Sequence, residues 1–295
     1  MLNVFKKLKK KFNHFIFKIN SEKTSFLIYE LIKNQKKLSI YDIGAGNRYL
    51  KTLINFDGSA NINMIDPNRN LDWAVENLKK NLKYPMNVKS FKCGIGNKSG
   101  KKNFYLAATS TGSTFVDVYK SKKKINTKYF GRKNRVKVDI YNFKEFIKKF
   151  NLEKPDIIKI DTEGFEEKII DPILNNYKPH LIEIELNNNH PLYGDSFSTI
   201  HSKMKKKNYE LVTFVPNYGA DDKPYMLGNY DNPTSRSTVY QIDCIYINNK
   251  LPHNLKKLSI YLGYGLIKQS IDVLSKINLD KQLKNKITNH IKKLK

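Results

Sequence analysis

Cysteine is nearly absent: the 295 residues contain two, Cys93 and Cys244, with no C-x-x-C or Cys/His spacing. This excludes a disulfide framework and a Cys-based zinc site, and both thiols read as reduced strand residues. Long apolar runs are absent too. No stretch reaches the roughly 18 apolar residues that span a bilayer, and "MLNVFKKLKKKFNHFIF" has no small-residue cleavage site after its apolar stretch. The chain is therefore expected to be cytoplasmic. Negative charge is scarce, with 27 acidic residues against 54 basic ones and a net charge of +27. Two readings of that excess stand side by side. It suits a polyanionic or lipid partner, and it also follows from an A/T-rich coding bias, because lysine far outnumbers arginine while Asn, Ile and Tyr abound. Phosphate readers use more arginine than this, so nucleic acid is not the expected partner.

What is present is an alternation of strand-length apolar runs and helical periods from residue 38 to about 247. It predicts an α/β fold: a mostly parallel sheet with helices on both faces. The expected strands are 38–43, 61–66, 87–93, 156–161, 180–186, 209–214 and 239–247, with two extra pieces, "KNFYLA" and "RVKVDI", after the third. "LDWAVENLKKNL" and "YNFKEFIKKF" carry core stripes at helical spacing. Residues 217–237 read as a long loop rich in Gly, Pro, Asn and Asp. The expected division is a basic helical N-terminal extension (1–37), a central domain (38–250) and Lys-rich C-terminal helices (251–295). Both ends have solvated amphipathic character. For residues 1–20 the interleaved Leu, Phe, Ile and Lys also suit peripheral contact with an anionic membrane.

"IYDIGAGNRY" places Gly44 and Gly46 where the first strand turns toward a helix, so a backbone and a ligand can approach closely there. The third glycine of a dinucleotide fingerprint is absent, since Tyr49 stands in its place. Asp66 ends the second strand, where a carboxylate accepts ribose hydroxyls. A ribose partner without a pyrophosphate loop points to an adenosine ligand lacking a diphosphate, and S-adenosyl-L-methionine is the common one. The adenine is then expected over "KCGIGN", where Gly94 and Gly96 leave room for a ring and Cys93 packs. Asp42 organises loop amides, meets the methionine ammonium or acts as a simple cap.

The stretch "IKIDTEGFEEKII" adds charge to an otherwise buried strand. Lys159 and Asp161 share a face by the period of two, as do Glu183 and Glu185 on "HLIEIEL". The expectation is one polar cluster at the carboxyl edge of the sheet. Lys159 there offsets the cost of burying the carboxylates, and Asp161 or Glu163 faces the acceptor as proton acceptor. Glu185 and the loop residue His190 are further candidate bases. Glu166 and Glu167 read as first-turn helix charges, His201 as a surface residue, and "TSTGSTF" (109–115) as a hydroxyl-rich turn that suits the cofactor carboxylate or the acceptor. No metal site is expected.

The succession "DIGAG", "IDPN", "CGIGNKSG", "GSTF", "IKIDTEGFE" and "LIEIE" closely resembles the FkbM family of S-adenosylmethionine-dependent methyltransferases, over about residues 38–247. Its most specific block is K-I-D-x-E-G-x-E, Lys159 to Glu166. The resemblance implies a class I methyltransferase (Rossmann-like) fold, seven strands with the last antiparallel, and O-methylation of a sugar, glycan or other hydroxyl-bearing metabolite. The chain departs from the family in two places. "GAGNRY" replaces the usual G-A-N-x-G, which changes the loop near Asn47 and Arg48, and Asp66-Pro67 replaces Glu-Pro, which keeps the carboxylate and shortens its reach. The base-methylating N/D-P-P-Y pattern is missing, since "DTEG" stands at that strand end. A ribose 2'-hydroxyl remains an alternative acceptor, and a non-catalytic membrane-surface protein an alternative role.

Overall fold

In the computed structural model, residues 20–107, 112–117, 135–188, 193, 195–217 and 241–294 are described. The proposed membrane segment 1–20 (all but Asn20), His190, the first residues of "TSTGSTF", residues 218–237 of the long loop and the first two residues of the strand expected at 239–247 lie outside them.

Six of the seven strands of the main sheet run in one direction: β1 (Leu38–Ile43), β2 (Ala60–Ile65), β3 (Asn87–Phe91), β7 (Ile157–Ile160), β8 (Leu181–Asn187) and β9 (Tyr209–Asn217). β10 (Gln241–Asn248) lies antiparallel to β8 on one side and to β9 (Tyr209–Asn217) on the other. The order β3-β2-β1-β7-β8-β10-β9 is the seven-stranded arrangement implied by the resemblance, with the last strand inserted antiparallel. The order reverses at β1, so the crevice beside β1 and β7 is the expected ligand site of an open α/β sheet.

The strand edges differ slightly from expectation. The third strand stops at Phe91, because after the Cys93 N–H to Phe91 carbonyl bond (2.9 Å) the chain enters a second sheet. That sheet has the order β4-β6-β5, from β4 (Gly94–Gly96), β5 (Gly100–Tyr105) and β6 (Arg135–Asn142). β4 has only three residues, too few for a periodicity to register.

Strand alternation sorts the side chains onto two faces. Tyr41, Ile43, Ile65, Ile158, Ile160, Ile182, Ile184, Cys244 and Tyr246 join one core with α3 (Phe143–Lys149), α4 (Glu166–Asn176) and α5 (Phe197–Lys206). Leu38, Ile40, Ile62, Met64, Ile157, Leu181 and Ile247 join the other. This second core also takes Leu71, Ala74, Val75 and Leu78 of α2 (Leu71–Lys80).

The same second core draws in the segments expected as appendages. Leu27, Ile28, Leu31 and Ile32 come from helix α1 (20–32). Leu258 to Leu262, Val273, Leu274, Ile287 and Ile291 come from α6 (Leu255–Gly263), α7 (Ile267–Lys276) and α8 (Lys281–Leu294). Thr24 Oγ1 and His290 Nε2, 2.9 Å apart, join α1 to α8. The apolar stripes of these helices pack into this core, and one of their lysines, Lys257, is buried as well, its Nζ donating to the Leu251 carbonyl (2.8 Å). His201 is likewise no plain surface residue: its Nδ1 lies 3.0 Å from the Tyr246 hydroxyl and its ring stacks on Phe197.

Candidate functional site

At the reversal point, the carboxyl ends of β1, β2, β3 and β7 are tied by backbone bonds. Gly44 N–H donates to Ile65 O (2.9 Å), Asp66 N–H to Phe91 O (3.1 Å) and Asp161 N–H to Ile43 O (2.9 Å). Gly44 has φ +87, and a Cβ there would fall 1.7 Å from the Asp161 carbonyl oxygen, so the crossing of the two strand ends requires glycine. Gly46 also lies in the left-handed region, at φ +59, but nothing stands within 4 Å of where its Cβ would be. That open space is what a ligand lying on the loop needs. The side-chain oxygen of Asn47 in the same loop is buried without a partner.

Asp66 is fixed by two backbone donors. Its Oδ2 accepts from Gly46 N–H (2.9 Å) and its Oδ1 from Asn68 N–H (2.6 Å). Burial pushes its carboxyl up to about 6, and the two amides partly offset this by stabilising the anion. Asp66 lines a cleft together with Gly44, Ile65, Pro67, Cys93, Gly94, Phe104, Ser113, Phe115, Asp161 and Thr162. The chain itself packs closely on Gly94, which lines this cleft, and on Gly96. A Cβ at Gly94 would meet the Phe115 ring at 2.3 Å, and one at Gly96 would meet Ile140 at 2.8 Å. Cys93 packs as expected: burial raises its thiol to about 12, which leaves no thiolate at neutral pH.

Across the same edge, Asp42, Lys159 and Glu183 are register partners on β1, β7 and β8 and share the face of the second core. Lys159 Nζ bonds Asp161 Oδ2 at 2.7 Å and lies 4.0 Å from Asp42 Oδ1. Burial works against the ammonium, but Asp161, Asp42 and Glu183 outweigh it and hold Lys159 well above the ordinary lysine range. Asp42 is 1% exposed, and its Oδ1 accepts no hydrogen bond. It is a buried partner of Lys159 and not a cap on the loop. Burial drives the Asp42 carboxyl up to about 6 against the pull of Lys159, and that of Glu183 up to about 7.

Beyond Asp161 the chain turns through Glu163 (φ +53) and Gly164 (φ +92). A left-handed glutamate is strained, and two side chains hold it. Glu166 Oε1 accepts from Thr162 N–H (3.1 Å), Thr162 Oγ1 (3.0 Å) and Gly164 N–H (3.0 Å), while Thr114 Oγ1 donates to the Glu163 carbonyl (2.7 Å). Glu166 does occupy the first turn of α4, but it is buried and organises the loop, with its carboxyl raised by burial to about 7. Thr114 comes from the "GSTF" segment and is fully buried. Its function here is to hold backbone.

The turn carries the Glu163 side chain to Asp161 and Glu185, each offering a carboxylate oxygen within 4.8 Å of the others'. Gln241 at the start of β10 donates from Nε2 to Glu163 Oε2 (3.3 Å) and Glu185 Oε2 (3.2 Å). Of the residues singled out in the sequence, Lys159, Asp161, Glu163 and Glu185 thus converge as one cluster. Gly44, Asp66, Cys93 and Gly94 line the adjoining cleft, and Asp161 belongs to both. Gln241, Thr114 and the loop-holding role of Glu166 escape the sequence reading. Glu166 left a trace there as the last position of K-I-D-x-E-G-x-E, and Thr114 as part of "GSTF", while Gln241 left none.

A sequence profile described as the methyltransferase FkbM domain matches residues 42–211. No curated protein matches the chain. Among solved structures, the chain is similar to precorrin-6y C5,15-methyltransferase of Geobacter metallireducens, with 14% identity over 76% of this chain and 86% of that one and a TM-score of 0.35. It is similar to M. capricolum TrmK bound to S-adenosyl-homocysteine, with 15% identity, 92% and 94% coverage and a TM-score of 0.36. It is also similar to magnesium protoporphyrin IX methyltransferase of Synechocystis PCC 6803 with bound SAM, with 10% identity, 78% and 79% coverage and a TM-score of 0.37.

Proposed function

The chain belongs to the FkbM methyltransferase family, and from that premise we propose that it transfers the methyl group of S-adenosylmethionine to a hydroxyl of a sugar, glycan or related metabolite. The observation that carries the reading is the position of Asp161, which lines the cleft beside Asp66 and also belongs to the carboxylate cluster with Glu163 and Glu185. A nucleoside-holding carboxylate and proton-accepting carboxylates thereby share one sheet edge.

The residues suit the cofactor. Asp66 accepts from the ribose hydroxyls while its backbone bonds keep it oriented, the open face of Gly46 admits the ligand, and Gly44, Cys93 and Gly94 shape the cleft wall. When bound, S-adenosylmethionine supplies an electrophilic methyl on a good leaving group, so positioning and proton removal are left to the protein. Asp161 and Glu163 stand where an acceptor hydroxyl gives up its proton, and Lys159 keeps Asp161 oriented. The partner is a small-molecule or glycan acceptor. We propose further that residues 1–20 hold the enzyme at an anionic membrane surface; removing them should abolish salt-sensitive sedimentation with anionic liposomes, and unchanged sedimentation would overturn this.

The test uses methyl-tritiated S-adenosylmethionine with purified protein and fractionated polysaccharide, small-molecule and RNA pools. Label in a polysaccharide or small-molecule product one methylene heavier supports the reading. Label confined to RNA overturns it in favour of a ribose 2'-hydroxyl acceptor, which the net charge of +27 favours.

A further inference from the structure

Gln241 lies at the first position of β10 and has no part in the chemistry described so far. Its single amide nitrogen reaches two carboxylates from elements far apart in the chain, Glu163 at 3.3 Å and Glu185 at 3.2 Å. An amide NH2 carries two hydrogens, so one nitrogen serves both acceptors at once. We propose that Gln241 is a positioning residue that holds Glu163 and Glu185 as a proton-sharing carboxyl pair, and that this pair receives the acceptor's hydroxyl proton during methyl transfer. The inference deepens the function proposed above and rests on it.

Geometry carries the argument. Glu163 is presented by a left-handed turn clamped from below by Glu166 and from the side by Thr114. Glu185 is 5% exposed on a central strand, and Gln241 bridges it to the half-buried side chain of Glu163. Two carboxylates held this close out of water do not both ionise readily, and one proton between them relieves the repulsion. The surroundings reinforce that. Asp161, Glu166 and Glu185 face Glu163, with Lys159 as the nearby cation. Asp161, Glu163, Glu166 and Asp243 face Glu185. Lys159 is already bonded to Asp161. Burial first, and then these negative neighbours, raise Glu163 to about 8 and Glu185 well above the usual carboxyl range, while the Gln241 amide pulls Glu163 back down. The amide thus keeps Glu163 acidic enough to stand as a carboxylate near neutrality, where a base is most effective.

The step balances. The acceptor oxygen forms its bond to the methyl carbon, the carbon–sulfur bond breaks with its electron pair going to sulfur, and the hydroxyl proton passes to the Glu163–Glu185 pair.

The experiment is a carboxyl 13C NMR titration, from pH 4 to 10, of the full chain labelled at glutamate Cδ, for wild type, Gln241→Leu, Gln241→Asn and Glu163→Gln. Two carboxyl carbons are expected to titrate above the ordinary glutamate range in wild type. The lower of these midpoints should rise by about one pH unit in Gln241→Leu, as expected when one charge-assisted hydrogen bond is lost. Glu163→Gln should lower the Glu185 midpoint by removing its neighbour's charge. Gln241→Asn, too short to span both carboxylates, should behave as Gln241→Leu and covers the case in which the leucine variant does not fold. Ordinary glutamate midpoints in wild type, or midpoints unmoved by either Gln241 substitution, would overturn the proposal. So would suppression of the high midpoints by micromolar Mn2+, since the cluster would then be a cation site. Calorimetric binding of S-adenosylhomocysteine to the same samples is expected to be equal for all four. Its absence from wild type would count against the methyltransferase reading itself, and the titration distinguishes the two failures.

Discussion

Lys159 Nζ lies 2.7 Å from Asp161 Oδ2, two residues further along the same chain, and 4.0 Å from Asp42 Oδ1 on the neighbouring strand. One buried ammonium thus stands between two carboxylates, one entirely covered and one at the rim of the cleft. Replacing it strands both. Lys159→Met should cost about 3–5 kcal/mol, the usual penalty for removing one member of a buried ion pair, and denaturant unfolding measures it. A variant as stable as wild type would mean that Asp42 and Asp161 are not held by this lysine.

Asp66→Ala removes both the ribose acceptor and the anchor for the amides of Gly46 and Asn68. Binding of S-adenosylhomocysteine should weaken by about 1.5–3 kcal/mol, the worth of charge-assisted hydrogen bonds. Isothermal titration of variant and wild type checks this, and equal dissociation constants would remove Asp66 from the site.

Two glycines of one loop should respond differently. Alanine at Gly44 meets the Asp161 carbonyl at an impossible 1.7 Å, so Gly44→Ala should separate β1 from β7, with a large drop in melting temperature and loss of S-adenosylhomocysteine binding together. Alanine at Gly46 meets nothing and bears only the left-handed backbone, at about 1–2 kcal/mol. Its melting point should fall modestly while ligand binding suffers more. Equal melting losses would contradict the geometry.

The carboxyls of Asp42, Glu163, Glu166 and Glu183 sit above their unfolded values, at about 6, 8, 7 and 7. A carboxyl raised on folding contributes stability that is complete below its unfolded pKa and is lost as pH climbs through the folded one. These groups should therefore make the chain less stable at pH 8 than at pH 5, and Glu183→Gln should flatten that slope. Melting curves across this interval decide it; stability rising from pH 5 to 8 would show that the carboxylates are ionised and compensated throughout.

Most of the fold was open to reading from periodicity. β1 was expected at 38–43 and is found there, because six consecutive buried residues bounded by charge and glycine admit little else. The cluster of Lys159, Asp161 and Glu185 was equally legible, because strand alternation puts charges two residues apart on one face. What stayed hidden depends on contacts between distant parts of the chain. Glu163 to Gln241 spans 78 positions and Thr114 to Glu163 spans 49, and neither glutamine nor threonine announces such a partner by its spacing. The packing of Phe115 against Gly94 was hidden for the same reason, since a glycine signals close approach without saying by what.

The insertion of β10 between β8 and β9 has a practical consequence for anyone working with fragments. The profile match ends at residue 211, inside β9, and takes in neither β10 nor α1 nor the three C-terminal helices. A piece trimmed to that match would leave the hydrogen-bonding groups of β8 uncovered along its whole length, an open edge ready to pair with another copy. It would also cut β1 at Asp42, losing Leu38 and Ile40, would bare Ile62, Met64 and Leu181, and would lose Gln241 and Asp243 from beside the carboxylates. Precipitation of such a fragment would therefore be a statement about missing walls, and its inactivity would say nothing about the chemistry of Asp161.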